Sequence, residues 1–170
     1  EQKCQTPHIN EEIIQGAFID AFNSLIANKA EILTNYKAII QSLTDTTTLD
    51  KKTVLLQSEY EVVTELLRKC VDDNAHQAQD QAEYQKRYSG LVEHYDNVKR
   101  EMSEIDEARL ERNAKREKIE AFLRTLDGRE NLISEFDENL WLGTVESVTI
   151  HSYHDVVFTF KDGLQLDWTI

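Results

Sequence analysis

One proline and five glycines in 170 residues leave the chain few places to break a helix or close a tight turn. That scarcity excludes collagen-like sequence, and 40% apolar residues exclude a chain too polar to fold. Two cysteines, Cys4 and Cys70, are too few and too far apart for a disulfide framework and suit a reducing cytosol. No apolar run reaches the ~18 residues of a membrane span, and the first ten residues are polar, so neither a transmembrane helix nor a signal peptide is expected. Basic residues are also scarce: 19 Lys and Arg against 32 Asp and Glu give a formal charge of −13. Bulk charge therefore draws the chain to neither nucleic acid nor anionic lipid. A start at Glu1 without Met suggests a fragment or a processed chain.

What the sequence does contain is helical periodicity. Ile9 and Ile14 bracket Asn10 as a hydrophobic staple around an N-cap, with Glu11 and Glu12 in the first turn, where the helix dipole favours anions. Ala17, Phe18, Ala21, Phe22, Leu25 and Ile26 then form one apolar face. A second stretch carries Ile32, Leu33, Tyr36, Ile39, Ile40 and Leu43, and the Thr and Asp cluster at 44–48 reads as a loop.

From residue 49 a narrower stripe recurs every seven residues: Leu49, Leu56, Val63 and Cys70. Asp80, with Glu83 three residues on, is a capping-box variant that opens the longest periodic segment in the chain. Its seam runs through Tyr84, Tyr88, Leu91, Tyr95, Val98, Met102 and Ile105, positions that place the three tyrosines in the core. A short link near 71–81 enforces antiparallel neighbours. One register then sets Cys70 opposite Tyr84, Val63 opposite Leu91, Leu56 opposite Val98 and Leu49 opposite Ile105. The expectation is a coiled-coil hairpin over 49–105, about 35 Å long at helical rise. Its tip at 71–81 presents Asp72, Asp73, Asn74, His76, Gln77 and Gln79. Beyond Ile105 the long helix is expected to lose that partner and, over 106–135, to join the base formed by helices at 10–48.

Over 136–170 the period falls from 3.6 to 2 after a short helix capped by Asp137 between Phe136 and Trp141. Val148 and Ile150, then Val156, Phe158 and Phe160, then Leu164, Leu166 and Trp168 share one face of a three-stranded meander. Asp162-Gly163 reads as a type I′ turn, and 152–155 supplies the earlier one. The fold class is α+β, mainly α.

Motifs for chemistry are absent: no phosphate loop, GxSxG elbow, HExxH or CxxC occurs. No enzyme activity is expected of this chain. Cys4 and His8 are spaced like half a zinc site, which fits either a frayed terminus or the end of a zinc ribbon whose other ligands precede residue 1. Arg109, Arg112, Lys115 and Arg116 lie in the one basic stretch, interleaved with Glu111, Glu117 and Glu120. A salt-bridged solvated face is the simpler account of them, and a contact to DNA phosphate is the other.

Several segments together carry a family likeness. They are Cys4-Gln5-Thr6-Pro7-His8-Ile9-Asn10-Glu11-Glu12, Ala17-Phe18 to Ala21-Phe22-Asn23, and Asp80-Gln81-Ala82-Glu83-Tyr84. Ala114-Lys115-Arg116-Glu117-Lys118-Ile119 and the closing Phe136-Asp137-Glu138 to Phe158-x-Phe160-x-Asp162-Gly163 complete the set. The chain resembles the C-terminal region of large serine recombinases, the phage integrases and transposon resolvases of Gram-positive bacteria. The resemblance implies that residues 1–9 end a zinc ribbon in which Cys4 is the last ligand, with zinc held by the parent protein and no cofactor by this fragment. It implies a bacterial cytoplasmic protein whose catalytic serine lies elsewhere in the parent, whose attachment-site DNA is bound by the parent, and whose hairpin tip meets other subunits to control synapsis and directionality. An adaptor that holds a protein partner and never meets DNA is the competing expectation. No membrane association is expected under either.

Overall fold

The computed structural model describes residues 7–78 and 80–170, which divide into two compact units. One comprises residues 7–43 with Ala114–Ile170, the other the described residues of Thr44–Asn113. The elements are α1 (Glu11–Ala27), α2 (Lys29–Thr44), α3 (Thr47–His76), α4 (Gln81–Asp127), α5 (Glu138–Thr144), β1 (Val145–Ile150), β2 (Asp155–Phe160) and β3 (Gln165–Thr169). The fold is α+β and mainly α, with a C-terminal antiparallel sheet in the order β1-β2-β3. Among the described residues no helix is long and apolar enough to cross a membrane.

In the first unit, α1 begins where the staple places it. The Asn10 carbonyl accepts from Ile13 and Ile14, but its side chain makes no cap hydrogen bond. The apolar face of α1 is buried throughout, from Ala17 to Ile26. Phe18 and Phe22 are fully enclosed, Phe18 by Phe22, Phe136, Trp141 and Phe158, with the Trp141 ring edge-on at 5.0 Å. Phe122 and Leu126 of α4 close the core, the Phe122 ring 5.6 Å from Phe160.

The sheet presents its apolar rows to this core. Val148 pairs with Phe158 and Phe158 with Leu166; Ile150 pairs with Val156 and Val156 with Trp168. Val145 is also buried, although it stands three positions before Val148, an odd step that alternation would send to the opposite face. The register shift between Val145 and Ser147 resolves the conflict, because the extra residue of a bulge restores the phase.

Two connections are tied by side chains. Asn23 donates to the Ile133 carbonyl (2.9 Å) and accepts from the Ile133 N–H (2.8 Å), satisfying a loop backbone that has no ladder partner. Asp137 caps α5 by accepting from Leu140 N–H at 3.0 Å, which, as the leading cause, holds its carboxyl below the usual range.

The turn at Asp162-Gly163 differs from the expected type I′. Only Gly163 has positive φ (94°), whereas type I′ needs it at both central residues. Phe160 N–H donates to Leu164 O and Gly163 N–H to Phe160 O, so the loop is the three-residue kind that ends on a left-handed glycine. This geometry turns the Asp162 carboxylate inward, where it accepts from the Tyr36 hydroxyl of α2 and from Leu164 N–H. Burial raises the Asp162 carboxyl above its ordinary range, and burial together with Asp162 raises the Tyr36 hydroxyl.

A carboxyl raised on folding contributes stability that is complete below its unfolded pKa and is lost as pH climbs through the folded value. Asp162→Asn keeps an oxygen for Tyr36 and removes that loss. The variant is therefore expected to gain on the parent chain between about pH 3 and about pH 7. Urea unfolding at both values checks this, and a difference that stays constant or shrinks would contradict it.

Candidate functional site

The Thr44–Asn113 unit holds the residues singled out by the heptads. Only Asp45 and Thr46 separate α2 from α3, so the expected loop at 44–48 shrinks to two residues. Asp45 accepts from Thr47 N–H at 3.0 Å, and Thr46 donates to Asp50 at 2.7 Å. At the far end α3 continues through His76 instead of ending near Val71. His76 stands in the last turn, where the helix dipole favours a donor or cation, and its ring lies 3.3 Å from Asp72 one turn earlier. The link is thus only 77–80. Asp80 then opens α4, accepting from Ala82 N–H (2.8 Å) and Glu83 N–H (3.0 Å).

Antiparallel pairing is visible as a ladder of cross-helix contacts. Asn74 meets Gln81, Tyr60 meets Tyr95 through their hydroxyls at 3.1 Å, Glu59 meets His94 at 2.6 Å, and Lys52 meets Glu101 at 2.9 Å. From Asn74 down to Lys52 on α3 the partners run from Gln81 up to Glu101 on α4, each pair within one residue of the expected register. Lys52 holds the Glu101 carboxyl below its usual range, and Glu101 raises the Lys52 ammonium. Leu56, Val63, Cys70, Val98 and Ile105 are buried along the seam, while Leu49, Tyr84 and Leu91 are half-buried. The burial thins near Leu49 and Tyr84 because each lies in or beside the first turn of its helix, with no further layer beyond it.

Three tyrosines placed in the core by their seam positions, Tyr84, Tyr88 and Tyr95, are half-buried instead. Two helices offer each ring one facing partner, so the ring covers the seam from its edge. Tyr84 and Tyr88 stack on each other at 5.8 Å.

The expected boundary at Ile105 also moves. Arg109 reaches Asp50 (2.6 Å) and Thr53 (3.2 Å), and Arg112 donates to the Asp45 carbonyl at 2.9 Å, so α4 keeps α3 as its partner to residue 113. Two of the four candidate phosphate ligands are therefore engaged within the unit. Arg116 lies 3.7 Å from Glu120 on its own helix, and Lys115 is exposed; both belong to the other unit.

At the tip, Asp72, His76 and Gln77 are exposed and Asp73 and Asn74 half-buried. Gln79 and Cys4 lie outside the described residues. Beside the tip, Leu67, Arg68 and Val71 of α3 and Tyr88, Val92, Tyr95 and Asp96 of α4 line an open, mostly apolar groove. Heptad reading missed this groove because Leu67, Arg68, Val71, Val92 and Asp96 flank the seam. The exposure of Leu66 and Val71 is the signal that two helices alone leave apolar surface uncovered. Among the described residues no group of three or more His, Cys, Asp or Glu is placed to hold a metal ion.

Comparison with protein-family models, with curated proteins and with solved structures found no match to this chain.

Proposed function

We propose that the chain is the C-terminal part of a site-specific serine DNA recombinase, and that its two-helix unit contacts other subunits during synapsis and so controls directionality. The observation that carries the reading is the ladder from Lys52–Glu101 through Tyr60–Tyr95 to Asn74–Gln81, which brings the exposed end of α3 and an adjoining apolar groove to one end of an antiparallel pair. The family resemblance of the flanking segments supplies the biological setting. Such an end is suited to reversible contact. Each 1.4 kcal/mol of differential contact energy changes an assembly equilibrium about tenfold, so a small groove suffices to favour one complex over another.

DNA contact is assigned to the parent protein. Arg109 and Arg112 are occupied by Asp50 and the Asp45 carbonyl, and the net charge of −13 opposes a phosphate backbone. Zinc, likewise, belongs to the parent, through Cys4 and ligands supplied upstream. Exposed Val54, Leu55 and Val62 on α3 favour a second reading, a coiled-coil adaptor with a protein partner and no link to recombination.

The encoded sequence upstream separates the two, since a recombinase carries a serine catalytic domain and three further zinc ligands there. In the full-length protein, replacing residues 72–81 by a short glycine-rich turn is expected to alter which attachment-site pairs are synapsed and in which direction they recombine. Gel-shift synapsis and recombination assays read both. If neither changes, the proposal fails.

A further inference from the structure

The first unit carries an apolar pocket with an acidic rim that the two-helix reading does not use. Ile14 of α1, with Phe136, Trp141 and Leu142, forms its floor, and Glu11, Gln15 and Glu138 form its edge, around a space of about 540 Å³. The Phe136 and Trp141 rings meet at 56° with centroids 5.7 Å apart, and Trp141 is held from behind by buried Phe18. Leu142 is exposed, and Ile13, on the same helix as Glu11, is also exposed. The site is thus a preformed aromatic corner and not a collapsed one.

Its charge is of one sign. No Lys or Arg lines it, and among the described residues neither Glu11 nor Glu138 makes an ion pair. Two cations bond to residues in or beside the lining without reaching either glutamate: Arg129 pairs with Asp137 at 3.3 Å, and Lys161 donates to the Leu142 carbonyl. Gln15 donates to Glu11 at 3.0 Å, which orients that carboxylate without neutralising it. Two carboxylates, each in the first turn of its helix and without a salt-bridge partner among the described residues, stand around aromatic faces and select a cation with an apolar stem. A Lys or Arg side chain meets that description, its methylenes lying on the rings and its head on the rim. Leu142 and Ile14 provide space for a neighbouring apolar side chain.

We infer that this pocket docks a basic segment of a second protein, one that presents Arg or Lys beside an apolar residue. The inference rests on the first unit alone and stands whether or not the two-helix unit serves in synapsis.

The test uses the full chain, labelled with ¹⁵N, titrated at low salt with the blocked peptide Gly-Leu-Arg-Leu-Gly. The Trp141 indole N–H is followed, its signal told apart from that of the other tryptophan with Trp168→Phe. A saturable shift is expected, weakened about fivefold to tenfold in the double variant Glu11→Gln, Glu138→Gln, whose exposed side chains leave the core untouched. No shift at millimolar peptide, or an equal shift with the glutamate counterpart of the peptide, overturns the inference. So does argininamide acting as strongly as the peptide, which would make this a small-cation pocket. A Trp141 shift on concentrating the protein alone would assign the pocket to a second copy of this chain and also overturns it.

Discussion

Phe18→Ala is expected to cost the first unit about 3–5 kcal/mol, the range for truncating a fully buried aromatic ring. Phe18 has no solvent exposure and touches aromatic rings from α1, the loop before α5, α5 itself and β2. Its removal opens a cavity where four elements converge, and none can relax inward without breaking a contact elsewhere. Because domains are stable by only about 5–15 kcal/mol, the variant should unfold at much lower urea. Trp141 and Trp168 both lie in this unit, so tryptophan fluorescence reports the transition. A loss below about 1 kcal/mol would mean that the aromatic cluster is not the keystone of the unit.

In the Thr44–Asn113 unit the largest effect is expected for Leu56→Ala, about 2–5 kcal/mol, because Leu56 is buried with Val98 and Ile105 in a seam only two helices deep. Cys70 offers the readout. It is 2% exposed, so a thiol reagent reaches it only when the pair opens, and in a Cys4→Ser background its modification rate follows the open population. A loss of 2 kcal/mol should raise that rate about 30-fold. Leu55→Ala, at a neighbouring position that is 70% exposed, should leave it nearly unchanged. Equal rates for the two variants would show that the seam does not hold the helices together.

Periodicity made most of this legible. The α1 face, the seam through Leu56, Val63, Val98 and Ile105, and the inward rows of the sheet all follow from spacing, because burial on one side imposes a period that chemistry at single positions cannot hide. What stayed hidden depended on partners distant in sequence. Nothing local says that Asp162 in a turn will meet Tyr36 from α2, or that Arg109 and Arg112 will be claimed by Asp50 and the Asp45 carbonyl. The extension of α3 to His76 was masked by Asp72, Asp73 and Asn74, poor helix formers that the terminal His76–Asp72 pair helps to offset. The pocket beside Trp141 joins residues from α1 and α5 that share no motif, so only the fold brings them together.

The displaced register at the start of β1 has a bearing on how this chain tolerates change in length. Helix α5 passes into β1 with no intervening loop, and Lys161 N–H grips the Thr144 carbonyl at that junction. Losing or gaining one residue between 145 and 147 would exchange inside for outside at Val145, where the strand leaves the helix. The turn after β2 is equally constrained by inward-facing Asp162. Of the connections within the sheet, the one at 151–154 is left as the place where the protein can lengthen without rewriting which side chains face the core.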